Sequence, residues 1–246
     1  MPKLEAYDRS LPYAYAPGIF PAMECLHACP ERCLRLLVSS AGERSEGVQR
    51  LVRESEAAGI RVETADRVLA RIAHKDNCFA AMVFEKREAP LRADAPHVVL
   101  HHPSDSGNLG TILRTCLGFG FRDLAIVRPA VDLFDPRVVR ASMGALFSMR
   151  VRHYDDFEDY RTAFAGHALY PFMLTGAIEL SKAAAQVSAP YALVFGNEAS
   201  GLPEAFARMG TSVLIPHSGA IDSLNLAVAV GIGAYTFAQS DANRRQ

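Results

Sequence analysis

Three short segments combine glycine with polar side chains that could do chemistry. The segment SDSGNLGTILRT contains Asn108 and Arg114, LVFGNEASGLP contains Glu198, and VLIPHSGAIDSLNLAVA contains Ser223 and Asn225. Each segment follows an apolar, strand-like run, and α/β folds place ligands in the polar loops that follow their strands. If a helix begins at Asn108, then Arg114 comes nearly two turns later, and both side chains could reach one cleft at the carboxyl edge of a sheet.

Each segment also has an ordinary structural explanation. Asn108 is a plausible helix cap, a lone Glu198 is typical of a solvated loop, and Asp222 or Ser223 could cap the last helix. The second segment is not a nucleophile elbow, because Ser200 has the wrong spacing to the preceding glycine. The three segments together favour a ligand site, since all of them end strands of what is predicted to be one domain.

The elements that must position these segments alternate along the second half of the chain. Short apolar runs (HVVLHH, DLAIV, LYPFML, YALVFG and SVLIP) are separated by helical segments. This alternation predicts an α/β fold: a parallel sheet with helices on both faces. A last helix is predicted from about Asp222 to Gln239, and its small residues suit close packing against another helix or a partner.

The first half predicts a separate, smaller α/β unit. The chain divides near residues 86–96, KREAPLRADAP, where charges and prolines interrupt the apolar pattern. Before that point, CLRLLVSS, RVETA and CFAAMVFE are strand-like, whereas SEGVQRLVRESEAAGI and DRVLARIA have helical spacing. We therefore predict one domain over residues 1–90 and a second over residues 96–246.

Composition excludes several classes of protein. The 246 residues include 26 basic and 27 acidic side chains, which argues against indiscriminate binding to nucleic acid but leaves room for a local basic patch. No apolar run is long enough for a membrane helix, and the start lacks the pattern of a secretory signal. Five cysteines, an odd number in a chain of this length, predict reduced thiols and a cytoplasmic protein.

Two possible metal sites are weak. Cys25, Cys29 and Cys33 recur every four residues in CLHACPERC, a spacing that departs from the cluster-binding motif CxxxCxxC, and Pro30 interrupts the segment. They are better explained as small core thiols. The histidines at the strand end HH and at position 217 lack matching ligands for zinc. No metal site is predicted.

The order and wording of the three polar segments resemble the SpoU/TrmH family of RNA ribose 2′-O-methyltransferases, within the SPOUT superfamily. The family pattern DxxNxGxxxRT is matched by Asp105, Asn108, Gly110, Arg114 and Thr115. The pattern GxExxGL is matched by Gly196, Glu198, Gly201 and Leu202. The pattern IPxxGxxxSLNxxxA is matched by Ile215, Pro216, Gly219, Ser223, Leu224, Asn225 and Ala229. The intervening VRASMGALF also has the family's appearance. The resemblance covers residues 97–239.

The resemblance implies a SPOUT-like C-terminal trefoil knot and a homodimer. S-adenosyl-L-methionine would be bound in the knot, held largely by backbone groups around Gly196, Ile215 and Leu224. The first domain is similar, more loosely, to a small RNA-binding α/β domain related to ribosomal proteins. It departs from that domain before its last strand, where KDNCFAAMVF replaces the His-Gln-Gly of many relatives.

The implied reaction is attack of a ribose 2′-hydroxyl on the sulfonium methyl group. By family similarity Arg114 lies nearest that hydroxyl and has been proposed as the base. Because arginine stays protonated, we expect it instead to pair with RNA phosphate and to polarise the hydroxyl. Asn108, Glu198, Ser223 and Asn225 would orient Arg114, the ribose and the loops.

Several interpretations stay open at this stage. Ribosomal RNA is the favoured substrate because the appended first domain is similar to that of ribosomal RNA enzymes, and transfer RNA is the alternative. An inactive RNA-binding paralogue is a third possibility, although the motif residues are intact. A dinucleotide-dependent oxidoreductase is disfavoured, because the chain lacks the glycine fingerprint and its acidic ribose partner.

Overall fold

Residues 5–72, 78–218 and 220–244 are described by the computed structural model of the chain, so Gly219 of the third motif lies outside the described residues. In chain order the elements are β1 (Tyr13–Pro17), α1 (Ile19–Ala28), β2 (Cys33–Val38), α2 (Glu46–Ala57), β3 (Val62–Thr64), α3 (Asp66–Ile72), β4 (Ala80–Glu85), β5 (His97–His101), α4 (Ser106–Gly118), β6 (Asp123–Val127), α5 (Pro136–Ala141), β7 (Arg150–Tyr154), α6 (Phe157–Ala163), β8 (Ala168–Pro171), β9 (Ile178–Glu179), α7 (Leu180–Ala185), β10 (Tyr191–Phe195), β11 (Val213–Leu214) and α8 (Leu226–Arg244). They form two compact units.

The first unit comprises Met1–Arg87 and Asp132–Ser148. Its four-stranded sheet has the order β1-β4-β2-β3, in which β4 is antiparallel to both neighbours and β3 is parallel to β2. One face of the sheet packs its alternate residues, such as Tyr15 and Leu37, against α3. The segment 132–148 belongs to this unit because its Phe147 packs edge-on against Phe84 at 4.9 Å.

The second unit comprises Glu88–Val131 and Met149–Gln246. It is built on a five-stranded, wholly parallel sheet with the order β7-β6-β5-β10-β8. The central strands β6 and β10 are buried at every position, which explains why they read as continuous apolar runs. The predicted parallel sheet flanked by helices is therefore confirmed for this part of the chain.

The predicted elements differ from the observed ones in both units. SVLIP is not a strand of the main sheet: Val213 and Leu214 pair with β9 in a separate two-stranded ladder, and Val213 makes one isolated parallel bridge to Phe172, just after β8. The fifth strand of the main sheet is instead β7, RVRHY, at the edge of the sheet. Only its Val151 is buried, so the sequence shows no apolar run there. In the first unit, β1 and α1 were not predicted.

Two helix boundaries also differ from the prediction. The first helix of the second unit begins at Ser106, not Asn108, because Asp105 caps it by accepting a hydrogen bond from the Asn108 N–H at 2.7 Å. The last helix begins at Leu226 rather than near Asp222, since Asn225 caps it through the N–H groups of Ala227 and Val228.

A buried polar cluster fixes the amino end of the main sheet. His97, with no exposed surface, pairs its Nδ1 with the Tyr160 hydroxyl at 2.9 Å and its Nε2 with the Arg92 carbonyl at 2.7 Å. Beside it, Asp123 accepts two hydrogen bonds of 2.6 Å from Arg150. Burial lowers the pKa of His97 to about 4, so its neutral form is the one that fits this cluster.

Among the described residues, no helix combines the length and the apolar character needed to span a lipid bilayer.

Candidate functional site

The topology of the sheet brings two of the three polar segments together. Strands β5 and β10 are parallel neighbours, with Leu100 opposite Phe195 in the register. Both strands end within one residue of this pair, so the loops that follow them leave from the same edge of the sheet. One loop leads into α4 and carries Ser104 and Asp105, and the other carries Glu198.

Glu198 joins these two loops through its carboxylate. Its Oε2 accepts hydrogen bonds from the N–H and the hydroxyl of Ser104, at 3.0 and 2.7 Å. Its Oε1 accepts from the Asp105 N–H and from Asn108 Nδ2, each at 3.2 Å. One half-buried side chain therefore holds the start of α4 against the loop after β10.

These hydrogen bonds also fix the charge of Glu198. Partial burial alone would raise the pKa of the carboxyl, but the hydrogen bonds from Ser104 and Asn108 outweigh burial and lower it below its usual range. The side chain is therefore an anion at neutral pH. Because its acceptor positions are already used, we assign it to holding the loops together rather than to taking a proton.

The third polar segment is attached to the same network through Asn225. Its Nδ2 donates to Asn108 Oδ1 at 3.0 Å, while its Oδ1 caps α8. Asn108 in turn donates to Glu198. The chain Asn225–Asn108–Glu198 thus links all three segments by side-chain hydrogen bonds, although Asn108 and Glu198 are 90 positions apart.

The loop after β10 depends on a glycine. A Cβ at Gly196 would lie 2.1 Å from the carbonyl carbon of Gly201, too close for any other residue. The loop closes through the pair of backbone hydrogen bonds between Asn197 and Gly201, at 3.2 and 2.9 Å. Gly201 itself has a φ of 65°, a conformation that favours glycine. These contacts give the loop one compact shape.

A strained residue directly follows β5, beside this loop. His102 has a φ of 59°, which is unusual for a residue with a side chain. Its carbonyl accepts a hydrogen bond from Asn197 Nδ2 at 2.8 Å, and its ring stacks on His101 at 3.7 Å. The surrounding contacts therefore hold a backbone conformation that costs free energy, as is common near functional sites.

A cavity of about 420 Å³ lies between the loops of the second unit. This volume is in the range of about 300–1,000 Å³ that is typical of sites for small molecules. The three residues predicted to bind a cofactor all line it, and so do two of the predicted catalytic residues: Gly196, Ile215, Leu224, Glu198 and Ser223. The structure therefore brings five of the eight predicted site residues to one cavity.

Arg114 lies apart from this group. Its side chain is exposed on α4, makes no hydrogen bond or ion pair within the described residues, and does not line the cavity. A spacing of six residues turns a helix by about 240° beyond one full turn, so Arg114 and Asn108 point to different sides of α4. Asn108 instead shares its side with Thr111 and Thr115, which face α8 across a second groove.

Two residues of the network were given no role in the sequence analysis, although Asn197 belongs to the polar cluster around Glu198. Ser104 gives Glu198 its shortest hydrogen bond, 2.7 Å, and Asn197 ties the Glu198 loop to the end of β5. The available signal was their position, since both are polar residues within three positions of the ends of neighbouring strands. The register that makes them partners is not visible in the sequence.

Within the part of the chain that the structure describes, no group of three or more His, Cys, Asp or Glu side chains is arranged to hold a metal ion.

Comparison with known proteins places these features in context. A sequence model described as the SpoU rRNA Methylase family matches residues 95–235, more than half of the chain. A 23S rRNA (uridine(2479)-2′-O)-methyltransferase from Streptomyces viridochromogenes is 33% identical over 147 residues, which cover 57% of this chain and 51% of that protein. The chain thus spans about half the length of this curated relative.

Two further proteins extend the comparison. A putative tRNA (cytidine(34)-2′-O)-methyltransferase from Listeria innocua is 30% identical over 145 residues, covering 56% of this chain and 84% of its own. The crystal structure of an AdoMet-bound rRNA methyltransferase from Sinorhizobium meliloti aligns with a TM-score of 0.77 at 28% identity, over 93% of this chain and 87% of that chain. The likeness to this structure extends over nearly the whole chain.

Proposed function

The chain belongs to the SpoU rRNA methylase family, and from this premise we propose that it transfers a methyl group from S-adenosyl-L-methionine to a ribose 2′-hydroxyl of RNA. The observation that carries the proposal is the side-chain network Asn225–Asn108–Glu198, which joins the three motif loops beside one cavity. Relatives named as RNA 2′-O-methyltransferases support the choice of reaction.

The cavity suits S-adenosyl-L-methionine by size and by lining. Backbone groups around Gly196, Ile215 and Leu224 would hold it, and the polar side chains of Ser223 and His217 also line the space. The cofactor supplies an activated methyl group on a sulfonium sulfur. A similar structure is described as AdoMet bound, which agrees with this assignment.

The protein's own task is to align two reactants and to handle one proton. Glu198, as an anion with its acceptors occupied, holds the loop after β5 and the loop after β10 in fixed positions beside the cavity. The hydrogen bond between Asn108 and Asn225 connects these loops to the start of α8 and keeps Ser223 and Leu224 at the cavity wall. All of these residues position the reactants rather than accept the proton.

Arg114 is proposed to meet the RNA. Its exposed guanidinium has no ion-pair partner in the described residues, so its charge is available to a phosphate. With a phosphate bound, the same group would polarise the 2′-hydroxyl that attacks the methyl carbon. This assignment requires the RNA to approach α4 from the exposed side that carries Arg114.

We further propose the knot and the dimer that the family resemblance implies. In the knot, the segment leading into α8 passes through a loop of the second unit. The dimer is supported by an apolar groove between α4 and α8, lined in part by the exposed side chains of Phe119, Val228, Ile232 and Tyr235. Apolar patches of this kind mark protein–protein contacts.

The domain assignments are also proposals. Residues 1–90 would form the RNA-binding domain and residues 96–246 the SpoU-type methyltransferase domain, with residues 132–148 packing in the first compact unit. The five cysteines are all free thiols, which agrees with a cytoplasmic location.

Ribosomal RNA is the proposed substrate, and the similarity to a tRNA cytidine 34 methyltransferase makes transfer RNA the second candidate. The test is to map 2′-O-methylated positions in ribosomal and transfer RNA from cells with and without the gene. Loss of one ribosomal site supports the proposal, loss of a transfer RNA site favours the second candidate, and no change at any ribose contradicts both.

A further inference from the structure

Three thiols of the first unit converge although they lie on different elements. Cys25 is near the end of α1, Cys29 follows that helix, and Cys33 is the first residue of β2. The Sγ of Cys25 lies 3.6 Å from that of Cys33 and 4.0 Å from that of Cys29. Cys25 is therefore the central sulfur, in contact with both others.

The three thiols differ in their access to solvent. Cys25 has no exposed surface and Cys29 only 5%, whereas Cys33 is partly exposed. A small oxidant from solution would therefore meet Cys33 first. Its nearest sulfur, that of Cys25, has to move by about 1.5 Å to reach the disulfide bond length of about 2.05 Å.

We propose that Cys33 and Cys25 form a peroxide-oxidisable dithiol site, in which Cys33 is the sulfur that reacts first and Cys25 is the sulfur that completes the bond. This site is separate from the methyltransferase chemistry, and it requires no RNA and no cofactor. Its co-reactant is hydrogen peroxide or another small hydroperoxide.

The chemistry balances in two steps. The deprotonated Cys33 sulfur attacks one peroxide oxygen, the O–O bond breaks, and the hydroxide that leaves takes up a proton to give water and a Cys33 sulfenic acid. The Cys25 sulfur, having lost its proton, then attacks Cys33 Sγ, the S–O bond breaks and a second water leaves. Two thiols and one peroxide thus give one disulfide and two waters.

Cys29 is the other thiol in contact with Cys25, and its pKa is shifted in the opposite direction. The hydrogen bond from Cys25 lowers the pKa of the Cys29 thiol, outweighing the burial that would raise it, and Arg32 adds a smaller effect in the same direction. Burial raises the pKa of the Cys25 thiol. The hydroxide that leaves Cys33 takes up the proton that Cys25 has lost, which gives the second water.

The sequence makes the predicted link easy to read by mass spectrometry. Trypsin cuts after Arg9, Arg32 and Arg35, which puts Cys25 and Cys29 in peptide 10–32 and Cys33 alone in peptide 33–35. The full-length protein is treated with hydrogen peroxide, its remaining thiols are alkylated under denaturing conditions, and the unreduced digest is analysed. We expect peptides 10–32 and 33–35 to be joined, about 2 Da below their summed mass, with fragments placing the link at Cys25.

Two variants serve as controls. Cys33→Ser should abolish the joined peptide, whereas Cys78→Ser should leave it unchanged, because Cys78 is a buried thiol of the same unit that contacts the Ala80 carbonyl rather than another sulfur. The proposal is overturned if wild-type Cys33 remains alkylated, if it is oxidised without forming a bond to another cysteine, or if the link is found within peptide 10–32 or between two chains.

Discussion

Replacing Glu198 with glutamine removes the charge at the centre of the loop network and leaves its shape unchanged. The carboxylate accepts hydrogen bonds from Ser104 N, Ser104 Oγ, Asp105 N and Asn108 Nδ2. In either orientation of a Gln amide, its NH₂ group faces one backbone N–H and one side-chain donor. The Ser104 hydroxyl can turn to accept, whereas Asn108 could accept only by flipping its amide and losing its hydrogen bond from Asn225. The backbone N–H cannot accept in either case.

The cost of the substitution follows from these contacts. A hydrogen bond to a charged group contributes about 1.5–3 kcal/mol, and Glu198 is only half-buried, so the lower end of that range applies to the lost bond. The other bonds weaken because their acceptor is no longer charged, which brings the total to about 2–3 kcal/mol. If the transition state requires the loops to keep the positions that Glu198 gives them, this loss lowers kcat/KM by about 30- to 150-fold.

The assay measures methyl transfer from labelled S-adenosyl-L-methionine to RNA under kcat/KM conditions. Glu204→Gln is the matched control, since Glu204 also lines the cavity but is exposed and has no hydrogen bond among the described residues. We expect near wild-type activity for that variant. If Glu198→Gln is folded and loses less than about threefold in kcat/KM, the carboxylate does not hold the site together and the reasoning is refuted.

Four further predictions use other parts of the structure. Arg114→Ala should abolish methyl transfer while cofactor affinity, measured by calorimetry, stays nearly unchanged; equal loss of both would contradict its assignment to RNA. Gly196→Ala should weaken cofactor binding by about tenfold or more, because its Cβ would meet backbone at 2.1 Å, whereas Gly118→Ala, with nothing within 4 Å, should not. The pKa of His97 is about 4 in the folded protein, below the value of about 6.5 in an unfolded chain. As the pH falls, the unfolded state therefore takes up a proton first, and about 3 kcal/mol of stability is lost between pH 6.5 and pH 4. Chemical denaturation across that pH range should therefore show a smaller loss in His97→Gln, and an unchanged slope would rule out His97 as the cause. Ile232→Arg should convert a dimer into monomers in sedimentation experiments, and a variant that still dimerises would remove α8 from the interface.

The sequence predicted the strands of the main sheet where their burial is complete. Strands such as β6 and β10 are buried at every position because both faces of a parallel sheet are covered, and all but Asp123 of these residues are apolar or aromatic. The edge strand β7 has only one buried residue and gave no such signal. The segment SVLIP was wrongly predicted as a strand of the main sheet, because its residues are mostly apolar although they line the cavity and pair with a short strand, β9.

The membership of the cavity was predicted better than the hydrogen bonds around it. Gly196, Ile215 and Leu224 came from the family resemblance and line one space in the structure. The helix caps were harder to predict, because Asp105 and Asn108 are both good capping residues and only the position at which α4 begins decides between them. The contact between Asn225 and Asn108 joins residues 117 positions apart, and no local pattern records it.

Transfer of a methyl group to a ribose oxygen can be tested on the products of one reaction. The purified protein is incubated with S-adenosyl-L-methionine and ribosomal RNA, the RNA is digested to nucleosides, and the site of methylation is identified by mass spectrometry. We expect a nucleoside with the added methyl group on its ribose. Methyl groups found only on bases, or none in the presence of bound cofactor and RNA, would contradict it.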